Sequence, residues 1–138
     1  MWSVTFNPGA SDTDVGTFVI YKNGVAQSST VVLNTFTGQA LSNIQFDGNL
    51  HIGNWNGLDY DLDGHMDQWA FWNDDLSAAN LLALYQKPDH DYTANLGNYQ
   101  GAGKLDVYYK FDNNTDDAAE TSNGSLANDA AFDTEVPS

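Results

Sequence analysis

The dipeptide Asn23-Gly24 sits between two stretches rich in β-branched and aromatic residues, TFVIYK (17–22) and VAQSSTVV (25–32). A connection this tight makes the flanking strands antiparallel. A type I′ turn needs φ > 0 at both central positions, which Asn and Gly tolerate best. No other feature constrains the chain as strongly, because a register set at one turn decides which side chains share a face along both strands. The preceding stretch WSVTF alternates in the same sense and places Trp2, Val4 and Phe6 on one face. Between them, NPGASDTDVG is a polar run of turn formers.

Further strands are predicted downstream. IQF (44–46) and LHIGN (50–54) read as two short ones. HMDQWAFWN (65–73) alternates, with Met66, Gln68, Ala70 and Trp72 on one face and Asp67, Trp69 and Phe71 on the other. KLDVYYKF (104–111) sets Leu105, Val107, Tyr109 and Phe111 together. One helix is predicted in DLSAANLLALYQ (75–86). Ser77 caps it, Asp74 and Asp75 complement its dipole, and Pro88 ends it. Leu81, Leu84 and Tyr85 share its apolar face at i, i+3, i+4. Residues 86–103 read as an irregular connector. Residues 112–138 form a polar, acidic C-terminal tail, loop or disordered, with a short ordered piece at GSLANDAAF (124–132). Many short strands, clear turn signals and one short helix predict an all-β fold, an antiparallel β-sandwich.

Charge narrows the function. A chain of 138 residues fits one domain, and its net charge is −15 with four lysines and no arginine. Phosphate binding requires clustered cations, so nucleic acid is excluded as a partner, and an anionic membrane surface is disfavoured for the same reason. No apolar run is long enough to insert in a bilayer, and no charged-then-apolar signal segment opens the sequence. Cysteine is absent, which removes disulfides, thiol chemistry and Cys-ligated zinc. The chain reads as a protein without enzymatic activity. Its two glutamates, Glu120 and Glu135, both lie in the polar tail, so no carboxylate pair of the glycosidase type is present.

Two candidate sites share one loop. In DYDLDG (59–64), Asp59, Asp61 and Asp63 recur at alternate positions before a glycine, which converges hard oxygen ligands on calcium. Asp67 is a weaker fourth ligand. An EF-hand is excluded, because its twelfth position is Ala70 and the flanks are not helical. A carbohydrate or partner contact is the second candidate. Trp55 and Tyr60 supply aromatic faces, and Asn54 and Asn56, with His51, supply hydrogen bonds to hydroxyls. Trp2 and Trp72 read as core, and Trp69 as core or contact.

The ordered series WSVTF, GTFVIYKNGV, LHIGNWNG and LDGHMDQWAFWNDDLSAANLLALYQ resembles the laminin G-like type of the concanavalin A-like jelly roll. The family pattern falls on Trp2, Tyr21, Asn23, Gly24, Ile52, Gly53, Gly64, Met66, Asp67, Trp72, Asn73, Leu76, Ser77, Leu81, Leu84 and Tyr85. The resemblance gives Gly64 and Asp67 a second reading, as the turn and brace at the start of a strand. KLDVYYKFD is similar to the family's opening strand yet follows the helix, so the resemblance implies a partial or permuted jelly roll over 1–111. It also implies that 104–111 pairs beside MDQWAFW, and that partners cover the remaining apolar surface. The expected function is a structural, decoration or attachment component of a virus particle, a bacteriophage capsid or tail. Its partners are then other virion proteins or copies of itself. The alternative is a lectin-like adhesion module at the cell surface, binding glycans with or without calcium.

Overall fold

The computed structural model describes residues 1–7, 17–28, 50–53, 62–127 and 130–133. Their elements are β1 (Trp2–Asn7), β2 (Thr17–Lys22), β3 (Val25–Ala26), β4 (Trp69–Trp72), α1 (Ala78–Gln86) and β5 (Leu105–Tyr109), with a short 3-10 turn at Ala102–Lys104. The strands form two antiparallel sheets, ordered β1-β2-β3 and β4-β5, and α1 is a single short helix among the described residues. This is consistent with an all-β class. The chain divides into two compact units, Met1–Ile44 with Phe71–Asp106, and Gln45–Ala70 with Val107–Ser138.

In the first unit, the turn at Asn23-Gly24 forms as its sequence predicts, but β3 is shorter than the strand expected over 25–32: Gln27 and Ser28 are not part of it, and 29–32 lie outside the described residues. Asn23 and Gly24 take φ of 55° and 75°, and β2 pairs β3 through Tyr21↔Ala26 and Lys22↔Val25. β1 pairs β2 antiparallel over its whole length, from Trp2↔Lys22 to Asn7↔Thr17. Directly opposed residues share a face. One face therefore carries Ser3, Thr5, Val19, Tyr21 and Ala26. Tyr21 is buried there, and α1 lies against the hairpin where Leu82 backs onto Gly24. Ser3 Oγ is buried, with no hydrogen-bond partner among the described residues. An unsatisfied buried hydroxyl is destabilising, so Ser3→Ala should raise stability by about 1 kcal/mol, read as a higher melting temperature.

α1 starts as predicted. Ser77 is its N-cap, its Oγ accepting from Asn80 N at 3.3 Å. Leu76 and Leu81, the N′ and N4 positions of a hydrophobic staple, are both buried. Leu84 is buried too, whereas Tyr85 is exposed, so the apolar stripe is narrower than the i, i+3, i+4 pattern predicts. Asp74 lies beside the cap, but its partner is Lys104, whose Nζ is 3.0 Å away. The hydrogen bond from Lys104, aided by one from Asp75 N, holds the Asp74 carboxyl below its usual pKa. Both side chains are about half exposed, and such pairs stabilise little.

The connector after α1 is irregular, as expected, yet it supplies core. Tyr92 and Tyr99 are buried. Tyr99 donates its hydroxyl proton to Tyr92 O at 2.8 Å and accepts from Trp72 Nε1 at 3.0 Å. Gly101 is the point of closest approach. A Cβ there would lie 2.7 Å from Leu76 Cδ2 and 2.8 Å from Tyr99 Cε2.

In the second unit, β5 stops at Tyr109 rather than running to Phe111, because Phe111 turns into the left-handed region at φ 58°. Residues 50–53, predicted as part of a strand, form none. Tyr108 and Tyr109 are both buried, so the chain covers both faces of β5 there. The polar segment that follows is a loop organised by one carboxylate. Asp117 is 4% exposed. Its Oδ1 accepts from Tyr108 N at 2.7 Å and Ala119 N at 2.9 Å. Its Oδ2 accepts from Thr121 N at 3.0 Å, Thr121 Oγ1 at 2.7 Å and Ser122 N at 2.9 Å. Asp117 N in turn donates to Asn123 Oδ1 at 3.0 Å, and Ala118 N to Tyr108 O at 2.7 Å. Burial pushes the carboxyl pKa up, but these donors outweigh it and hold the group at about 2. The Tyr109 hydroxyl, raised in pKa by burial and by the Asp117 charge, donates to Ser122 O at 2.7 Å.

Candidate interaction surface

The second face of the β1-β2-β3 sheet differs in kind from the first. The register brings Trp2 beside Lys22, Val4 beside Ile20, and Phe6 beside Phe18, with Val25 beside Lys22 on the far strand. This face is apolar and open. Trp2 is 67% exposed, Val4 62%, Phe18 57% and Val25 60%. Scattered exposed apolar residues need no explanation, but four on one sheet face form a contiguous patch of the sort that marks an interaction site.

Its two ends have different chemistry. At one end Lys22 Nζ lies 5.4 Å from the centroid of the Trp2 ring, a cation–π contact. At the other, the Phe6 and Phe18 rings stack at 4.4 Å between centroids. The three strands contain no Asp or Glu, and Lys22 is their one charged side chain. In a chain carrying 19 acidic residues, a carboxylate-free face is where another molecule meets the least desolvation cost and repulsion.

Trp2 thus departs from its predicted place. Alternation assigned Trp2, Val4 and Phe6 to one face correctly. It is the covering of that face that differs: Trp2 lies at the surface rather than in a core. Phe18 and Val25 join it, and the hairpin register marks both as its neighbours. Trp72 is partly buried and hydrogen-bonded to Tyr99, in keeping with a packing role. Trp69 is partly buried, 6.1 Å from the Tyr109 ring.

Of the predicted site residues, Asn54, Trp55, Asn56, Asp59, Tyr60 and Asp61 lie outside the described residues. The residues flanking that segment are joined by a hydrogen bond from Leu62 N to Gly53 O at 2.7 Å, with Gly53 at φ 80°. Asp63 and Asp67 are exposed and precede β4. Among the described residues, no group of three or more acidic or histidine side chains is placed to hold a metal ion. An open depression of 410 Å³ lies beside the end of α1, lined by Ala83, Gln86, Lys87, His90, Leu96 and Tyr99 among others. Its imidazole is already engaged, with His90 Nε2 donating to Ala94 O at 2.6 Å. Among the described residues no helix is long and apolar enough to cross a membrane.

Comparison of the chain with protein-family models, with curated proteins and with solved structures finds no match.

Proposed function

We propose that this chain is a noncatalytic assembly module, a partial or permuted laminin G-like jelly roll that serves as a decoration or attachment component of a virus particle. The observation that carries the assembly reading is the apolar, carboxylate-free face of β1-β2-β3, with Trp2, Val4, Phe18 and Val25 exposed. A face of that composition is stable in water only at a cost that a partner removes. Virion placement rests on the sequence resemblance described above. The noncatalytic reading rests on the absence of a paired-carboxylate or nucleophile motif in the sequence.

Native mass spectrometry across a dilution series tests the reading. Complexes of more than one chain, or capture by the other proteins of a particle, support it. Strong and specific binding of the isolated protein on a glycan array would instead support a lectin-like adhesion module. Calcium at Asp59, Asp61, Asp63 and Asp67 belongs to either reading. Heat on calcium titration, with a rise in melting temperature that a chelator reverses, is the expected result of a bound ion. No heat and no shift would remove calcium from the account.

A further inference from the structure

We propose that the partner seated on the β1-β2-β3 face is a second copy of this chain, docked face to face about a two-fold axis near Val4 and Ile20. The inference rests on the assembly reading and names its partner. The face is polarised along the strands. One end presents the Lys22 cation over the Trp2 indole, and the other presents the stacked Phe6 and Phe18 rings. Rows Trp2↔Lys22 and Phe6↔Phe18 are four residues apart, roughly 13 Å at about 3.3 Å per residue. A two-fold rotation about the middle row lays the cationic end of one copy on the aromatic end of the other. The phenyl faces then receive a cation, and the two Lys22 charges stay far apart. The patch is complementary to itself, which is the condition for an isologous dimer.

Net charge points the same way. Two chains of −15 repel wherever their acidic surfaces meet. A carboxylate-free face lets two copies touch with their acidic residues turned outward. The face is also small. Six residues by three strands about 4.8 Å apart span roughly 20 Å by 10–15 Å, short of the ~800 Å² per partner of a standard interface. The dimer is therefore weak and concentration-dependent, and it strengthens as added salt screens the repulsion.

Sedimentation equilibrium of the intact chain tests this, with circular dichroism confirming that each variant folds. Wild type should pass from one chain to two with rising concentration, more readily at 0.5 M than at 0.05 M salt, a comparison set by a Debye length shrinking several-fold. Phe18→Glu should weaken association by about tenfold or more, because it places an uncompensated charge in the contact. The chain has no cysteine, so the orientation can be read by disulfide trapping. Lys22→Cys mixed with Phe18→Cys should cross-link under mild oxidation, and Lys22→Cys alone should not. A wild type that stays a single chain at every concentration overturns the inference. Association that persists unchanged in Phe18→Glu, or cross-linking of Lys22→Cys with itself, also overturns it, while leaving assembly through another surface intact.

Discussion

Asp117→Ala should destabilise the protein by on the order of 4 kcal/mol, the largest effect expected of any single substitution here. Five donors converge on this one buried carboxylate, four of them backbone amides. Alanine removes the acceptor and leaves the donors of Tyr108, Ala119, Thr121 and Ser122 to find water or to go unpaired. The loop from 112 to 124 should then detach from β5, and hydrogen exchange at those four amides should rise together. Asp117→Asn is milder but still costly, since one oxygen becomes an NH₂ facing N–H groups. An unchanged melting temperature in Asp117→Ala would show that the loop is held by its backbone bonds alone.

The same carboxylate gives the protein an acid-sensitive element of known sign. The folded-state pKa, about 2, lies below the ordinary value of 3.8. The contribution is therefore fully present above about pH 4 and is lost as pH falls from there through 2. The difference amounts to on the order of 2 kcal/mol. The stability gap between wild type and Asp117→Asn should be constant at neutral pH and close progressively between pH 4 and 2.

The second large effect is expected at Gly24. Its φ is 75°, and a Cβ added there would lie 2.6 Å from Leu82 Cα and 3.0 Å from Leu82 N. A side-chain tip can swing away from such a contact, but a helix backbone cannot. Gly24→Ala adds left-handed strain to that clash and should cost about 3 kcal/mol or more, read by thermal or urea unfolding. The control is Asn23→Gly, which keeps φ > 0 available; it gives up only the exposed bond from the N-terminal ammonium to Asn23 Oδ1 and some chain stiffness, and should cost about 1 kcal/mol or less. If Gly24→Ala proved as mild as the control, α1 would not lie on the hairpin.

The parts of this fold legible in the sequence are those set by local chemistry. Asn23-Gly24 demanded a turn with positive φ, and Ser77 before an apolar-periodic run demanded a cap. Both are present. The errors arise where the outcome depends on what covers a side chain. Period-two alternation assigns Trp2, Val4 and Phe6 to one face but is silent on whether that face is buried; the β1-β2 register adds Phe18 and Ile20 to it. Tyr99 is fully buried in a stretch with no period at all, DYTANLGNYQGAG, since its burial comes from bonds to Tyr92 and Trp72. Phe111 continues the alternation of β5 in sequence, but the chain turns before it. Asp117 is hidden among polar residues of the same kind. Its one signal is the Thr121 and Ser122 pair four and five residues on, whose amides and hydroxyl need an acceptor. The aspartate loop keeps its calcium reading as an expectation, because only Asp63 and Asp67 of its four residues are described.

Assembly through β1-β2-β3 requires that one face of this sheet be open in the single chain and covered when chains associate. Radical footprinting of Trp2, Val4, Phe18 and Val25 tests it most directly, starting from a solution dilute enough to contain single chains. These side chains should label heavily when dilute and less as concentration rises, with Tyr99 and Tyr108 protected throughout. Protection of Trp2 and Phe18 already in the dilute single chain would contradict it.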